Sequence, residues 1–127
     1  MKRDMDLIRE LMLKLESFPM EPGDNVHITP DNPDVQVDGH GVDQIDYHLS
    51  LIEQAGFIER SRSGPAIGIT FRGVSWAGQD FLDSVRSADV WDRTRQAASA
   101  AGGFTVDLLV FAAKSYLEGR IKGLMGG

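Results

Sequence analysis

The chain contains no cysteine among its 127 residues, which excludes disulfide bonds and thiolate metal sites. No apolar run approaches the roughly 20 residues that a membrane-spanning helix needs, so we predict no membrane insertion. The first residues lead into acidic positions and not into an unbroken apolar segment, which argues against a secretory signal. These absences favour a cytoplasmic location.

The chain also has no excess of basic over acidic residues. The formal net charge is −6, and nearly all of the negative excess lies in residues 19–39, which contain no Lys or Arg. The acids of this segment are Glu21, Asp24, Asp31, Asp34 and Asp38. Because counterion release from phosphates drives nonspecific DNA binding, tight binding of that kind normally requires a basic surface. The charge distribution therefore counts against it.

Patterns typical of catalysis are absent as well. The sequence has no Gly-x-Ser-x-Gly motif and no phosphate-binding loop. The three histidines, His27, His40 and His48, lack the paired spacing of a metal site. Two carboxylate pairs at i, i+3 spacing are interpreted as solvated helix faces: Asp43 with Asp46, and Asp80 with Asp83. We predict no enzymatic activity, no metal and no cofactor.

Apolar spacing predicts a single domain, with residues 1–73 as its core and 74–127 as a helical extension. A helix is expected over 4–18, ended by Pro19. An irregular acidic loop follows over 19–41, with short extended pieces near 26–28 and 35–37. Further helices are expected over 42–55, 75–87 and 90–101, and from 105 onward. Trp76 and Trp91 are interpreted as packing residues.

The most informative stretch is residues 47–58. Val42, Ile45, Leu49, Ile52 and Ala55 share one helical face, and Gly56 suits the left-handed position that ends a helix. The pattern of residues 57–62 and 66–72 then predicts the two strands of a hairpin joined by a Ser-Gly-Pro turn. This order predicts an α+β, mostly helical fold: a winged helix-turn-helix with a two-stranded wing and additional C-terminal helices.

Several landmarks occur together along the chain. They are residues 1–9, residues 47–58, the block Gly78-Gln79-Asp80-Phe81-Leu82-Asp83, then Val90-Trp91 and Gly102-Gly103. With these the chain resembles domain-of-unknown-function family 2513, small proteins of bacteria and their phages. The resemblance extends over essentially the whole chain and implies the fold and a phage context, but no activity. Where the family commonly has His-Glu, this chain has Gln79-Asp80, so no role for an imidazole is carried over there.

Residues 47–58 also resemble the recognition helix of winged-helix repressors. On that reading seven residues could contact bases or phosphates: Gln44, Tyr47, His48 and Ser50 on the helix, and Arg60, Arg62 and Arg72 on the wing. For His48 packing is the favoured alternative, and the arginines could equally be a solubilising hairpin edge. Three acids of the same helix would repel a phosphate backbone: Asp43, Asp46 and Glu53.

Two functions therefore stay open, and the predicted fold favours the first. The first is a phage or prophage DNA-binding transcriptional regulator that contacts double-stranded DNA. The second is a winged-helix interaction module that binds a host or phage protein and no DNA. The last helix is apolar over a broad surface, so it either completes the core or forms a homodimer.

Overall fold

The computed structural model describes residues 1–59, 67–100 and 105–124. Within these residues the fold is α+β and mostly helical, as predicted, with five α-helices and one two-stranded antiparallel sheet. The elements in chain order are α1 (Met5–Glu16), β1 (Val26–Ile28), a 3-10 turn (Pro33–Val35), α2 (Val42–Gln54), β2 (Ile69–Phe71), α3 (Trp76–Val85), α4 (Ala88–Ala100) and α5 (Val106–Leu124). None of the described helices is long and apolar enough to cross a membrane.

The chain divides into two compact units, Met1–Asp80 and Phe81–Gly127. The predicted boundary between residues 73 and 74 falls inside the first unit. In that unit α1 and α2 pack together around a common core. Helix α1 buries the five apolar residues that recur at three- and four-residue spacing, and it also buries Leu7; the five are Met5, Ile8, Leu11, Met12 and Leu15.

Helix α1 begins directly after Asp4, which caps it. The Asp4 carboxylate accepts hydrogen bonds from the backbone N–H groups of Asp6 (3.0 Å) and Leu7 (3.3 Å), which have no partner within the helix. The helix ends at Glu16, two residues before the predicted position. The Ser17 hydroxyl there donates to the Lys14 carbonyl (2.7 Å) and helps to end the helix.

The sheet differs from the predicted hairpin. Strand β2 pairs with β1 from the acidic loop, with Val26 opposite Phe71 and Ile28 opposite Ile69. Among the described residues near the predicted wing, Ile58 forms an isolated bridge with Val74, which lies beyond the predicted second strand, 66–72. Residues 60–66 lie outside the described residues, so the tip of the wing and the winged-helix assignment stay predictions.

Glycine permits this alternative pairing. Gly68 has φ +78°, and a Cβ at this position would collide with the Ile28 carbonyl oxygen.

The predicted extended piece at 26–28 is confirmed as β1, whereas the one at 35–37 is wrong. The chain forms the 3-10 turn Pro33–Val35 there, because the Asn32 side chain accepts from the Asp34 N–H (2.8 Å).

Helix α3 begins after Ser75, whose hydroxyl accepts from the Gly78 N–H (3.1 Å) and donates to the Gly56 carbonyl. The predicted packing of Trp76 is wrong, because its side chain is 86% exposed. Trp76 precedes the buried Val85 by nine residues, or two and a half helical turns, and so lies on the opposite side of α3.

In the second unit α4 and α5 form the main helix pair. Trp91 is buried, as predicted, and the Tyr116 hydroxyl donates to the Arg93 carbonyl (3.4 Å). Helix α5 begins directly after Thr105, in line with the helix expected from residue 105 onward.

Candidate functional site

Helix α2 presents one apolar face to the core and one polar face to solvent. Ile45, Leu49 and Ile52 are fully buried. The predicted stop is confirmed, since Gly56 has φ +75° and its N–H donates to the Glu53 carbonyl (3.0 Å). Phe57 folds back, is buried, and donates its N–H to the Ile52 carbonyl (3.2 Å). Local sequence therefore fixes which face of α2 remains exposed.

An open groove of about 440 Å³ runs along the first half of the exposed face. It is lined by Met1, Asp43, Asp46, Tyr47 and Ser50. The structure thus brings together two predicted site residues, Tyr47 and Ser50, with two carboxylates and the start of the chain. Gln44 is exposed at the first turn of α2, where its side-chain oxygen accepts from the Gly41 N–H (3.3 Å).

His48 does not belong to this exposed face. Its side chain is 1% exposed, and both ring nitrogens make hydrogen bonds inside the protein. Nε2 accepts from the Asp4 N–H (2.8 Å) and Nδ1 lies 2.7 Å from the Gln44 carbonyl oxygen. The contact predicted between His48 and bases or phosphates is therefore wrong in this structure, and the packing alternative is correct.

The wing arginines are only partly described. Arg72 follows β2 directly and is exposed. Arg60 and Arg62 lie outside the described residues, so the grouping of three arginines beside α2 stays a prediction.

Asp46 has a structural partner that the sequence did not indicate. Its carboxylate accepts from the backbone N–H of Gly68 (3.0 Å), which joins α2 to the residues just before β2. The interpretation of Asp46 as a purely solvated residue is corrected accordingly. No sequence pattern could have identified this bond, because its donor is a backbone group 22 residues away.

Met1 is the other residue of the groove that sequence reasoning missed. It lies there because the Asp4 N–H is bonded to His48, which brings the residues before Asp4 beside α2. Met1 is 71% exposed, and Val42, at the beginning of α2, is 45% exposed. The groove thus combines apolar and acidic groups.

Acidic residues predominate in the sequence on both sides of α2, whereas Lys2 and Arg3 follow Met1 at the groove. Residues 15–59 contain ten acids and no Lys or Arg. In the described part of the chain no ion pair reaches Asp43, Asp46 or Glu53. Within the same described residues, no group of three or more His, Asp or Glu side chains is arranged to hold a metal ion. The chemistry available at the groove is therefore charge attraction, hydrogen bonding and contact with the Tyr47 ring.

Comparison with known proteins gives a family but no named activity. A family model described as "Hypothetical protein (DUF2513)" matches residues 2–104. An uncharacterized protein of Haemophilus influenzae is 34% identical over 94 residues, which cover 72% of this chain and 74% of that protein. No solved structure matches the chain.

Proposed function

This chain belongs to the family described as hypothetical protein (DUF2513), and we propose that it is a protein-interaction module that binds a basic segment of another protein through the exposed face of α2. The observation that carries this proposal is the groove beside α2, whose walls hold two carboxylates. No Lys or Arg is present anywhere on that helix.

Charge supports a basic partner. Asp43 and Glu53 have no ion-pair partner among the described residues, so both carboxylates are available to Lys or Arg side chains. A complementary charge on the partner would steer the encounter and fix the orientation of the complex. Tyr47 is half-buried and lines the groove with Asp43 and Asp46, and its ring offers a face to a guanidinium or ammonium group.

The same features argue against α2 as a reader of DNA. Base reading in the major groove depends on side chains that donate to or accept from base edges while the phosphates on both sides are neutralised. Helix α2 carries three acidic residues and no Lys or Arg. His48, which was predicted to contact bases from the centre of this helix, is buried. DNA binding through Arg60, Arg62 and Arg72 stays the competing prediction.

A binding comparison tests the proposal against this competitor. The probes are a synthetic amphipathic peptide of Lys and Leu, its counterpart with Glu in place of Lys, and a random-sequence DNA duplex. Fluorescence anisotropy is measured at about 50 mM salt, where phosphate contacts are strong. We expect the Lys peptide to bind, and the Glu peptide and the duplex not to bind. Binding of the duplex without binding of the Lys peptide would favour the DNA regulator.

Any acidic protein attracts a cationic peptide, so the control variant must have the same net charge as the variant that removes acids from α2. Asp43→Asn with Glu53→Gln removes two acids from α2, and Asp89→Asn with Asp92→Asn removes two from α4. Because exposed charge pairs contribute up to about 1 kcal/mol each, the α2 variant should bind the Lys peptide about tenfold more weakly. The α4 variant should stay within about twofold of the native protein. An equal loss in both variants would contradict a site on α2.

A further inference from the structure

Two large aliphatic side chains are exposed beside the acids of α2. Val42, at the first position of the helix, is 45% exposed, and Ile67, shortly before β2, is 60% exposed. Val42 precedes Asp46 by four residues, so their side chains are neighbours on the helix surface. Asp46 accepts from the N–H of Gly68, which brings the preceding residue, Ile67, to the same side of α2. Val42 and Ile67 are called here the aliphatic edge.

Acidic side chains continue this side of α2 beyond the aliphatic edge. Glu53 follows Asp46 by seven residues, or about two helical turns, so both acids lie on the same side of the helix as Val42. Glu53 is half-buried and forms no ion pair with the described residues. This side of α2 therefore offers apolar contact at its beginning and negative charge over the following turns.

Positive charge approaches α2 from a different side. The Asp4 N–H is bonded to His48 (2.8 Å), which follows Val42 by six residues and so lies about a third of a turn away around the helix. Residues 1–3 precede this contact and include one Lys and one Arg. A cationic partner would be repelled there and attracted beside the aliphatic edge, so charge complementarity selects the aliphatic edge as the docking side.

The spacing of the acids favours a helical partner. An α-helix rises about 1.5 Å per residue, so Asp43, Asp46 and Glu53 lie at intervals of about 4.5 and 10.5 Å along α2. A second helix packed alongside has the same rise, so basic side chains spaced by three and seven residues reproduce both intervals. In an extended strand the side chains of one face recur about every 6.5 Å, which matches neither interval.

We infer that the partner of α2 is a basic amphipathic helix, whose Lys or Arg side chains face the acids and whose apolar side chains cover Val42 and Ile67. This inference rests on the proposed interaction function, which by itself requires only a basic segment. An amphipathic helix laid against an apolar surface is a general mode of peptide recognition. Its apolar contacts give a part of the affinity that salt does not screen.

Three peptides of equal length and charge test this inference on the native protein. The first has Lys and Leu at helical spacing, the second has the same composition with Lys and Leu alternating, and the third replaces each Leu of the first with Ala, which keeps helix propensity. Anisotropy is measured at about 50 mM and about 500 mM salt, where exposed charges are largely screened. We expect the first peptide to bind about tenfold more tightly than the others at low salt and to retain binding at high salt.

Matched substitutions locate the apolar contact on the protein. Val42→Ser with Ile67→Ser removes the aliphatic edge and leaves every acid of α2 in place. Trp76→Ser removes an exposed apolar side chain of α3 that does not line the groove, and it is the control. The double variant should bind the first peptide about tenfold more weakly and lose its binding at high salt. The control should stay within about twofold of the native protein.

Equal affinity for the first peptide and either comparison peptide would overturn the helical, apolar contact, and so would equal losses in the double variant and the control. Both results would leave the proposed binding of a basic segment intact, whereas failure of all three peptides to bind would reject that function itself. The peptide comparison uses the native protein, so it remains decisive if a variant does not fold.

A second copy of the chain is the other occupant that the experiment has to distinguish. Sedimentation velocity compares the native protein with the double variant, and we expect the same oligomeric state for both. A native dimer that becomes a monomer in the double variant would show that the aliphatic edge pairs with another copy, and would overturn the inference of a basic helix.

Discussion

Helices α2 and α4 have the same length, 13 residues, and four buried residues each, yet they satisfy their polar groups differently. In α4 the buried polar residue is Thr94, whose hydroxyl donates to the Val90 carbonyl of the same helix (2.7 Å). Two acids of α4 pair with arginines one turn later, Asp89 with Arg93 (3.7 Å) and Asp92 with Arg95 (2.8 Å). The polar groups of α4 are thus largely satisfied within the helix.

In α2 two polar side chains make hydrogen bonds outside the helix. The buried His48 reaches the start of α1, and Asp46 reaches the residue before β2. Asp43 and Glu53 have no ion-pair partner among the described residues. The comparison teaches that tertiary hydrogen bonds explain His48 and Asp46, whereas Asp43 gains only its favourable position in the first turn of α2 and Glu53 makes no ion pair among the described residues. Those two acids therefore carry the functional argument.

The largest expected difference between the helices concerns their buried polar side chains. His48→Ala leaves the Asp4 N–H without its partner and opens a cavity, so we expect a loss of about 2–4 kcal/mol in unfolding free energy. Thr94→Val removes a hydrogen bond within one helix and should cost at most about 1 kcal/mol. Urea unfolding followed by circular dichroism measures both. Equal losses would show that His48 is no more of a tertiary link than Thr94.

A smaller effect separates the structural role of Asp46 from its charge. Asp46→Ala leaves the Gly68 N–H without its acceptor and should cost about 1 kcal/mol in urea unfolding. Asp46→Asn keeps an oxygen for that N–H and removes only the charge, so its cost should stay below about 0.5 kcal/mol. If the asparagine variant were as unstable as the alanine variant, the carboxylate charge and not the hydrogen bond would join α2 to Gly68.

The helices could be predicted because their signals are local. The apolar spacing of α1 and α2, Asp4 as a cap and Gly56 as a stop each act within a turn or two of the residue concerned. The pairing of β1 with β2 could not be predicted in this way. Both strands have three residues and are far apart in sequence, whereas a hairpin between neighbouring segments was the simpler expectation.

The candidate site was predictable in position but not in detail. Tyr47 and Ser50 were predicted on the exposed side of α2, and both line the groove, with Ser50 exposed and Tyr47 half-buried. The burial of His48 depends on the Asp4 backbone, 44 residues away, and a backbone donor leaves no mark on the sequence. The tertiary role of Asp46 escaped prediction for the same reason.

The smallest stability effects come from the surface acids, and they sharpen the comparison most. Asp92→Asn removes an exposed pair with Arg95, which contributes about 0.3–0.5 kcal/mol. Asp43→Asn loses a favourable interaction with the N-terminus of α2, but it also relieves repulsion from Asp46 three residues later. The free energy of unfolding of both variants should therefore lie within about 0.5 kcal/mol of that of the native protein.

The two variants should differ in binding, because only the Asp43 carboxylate lines the groove. Anisotropy titrations with the Lys peptide should show a loss of affinity for Asp43→Asn alone, and a matching loss for Asp92→Asn would mean that net charge and not α2 attracts the peptide.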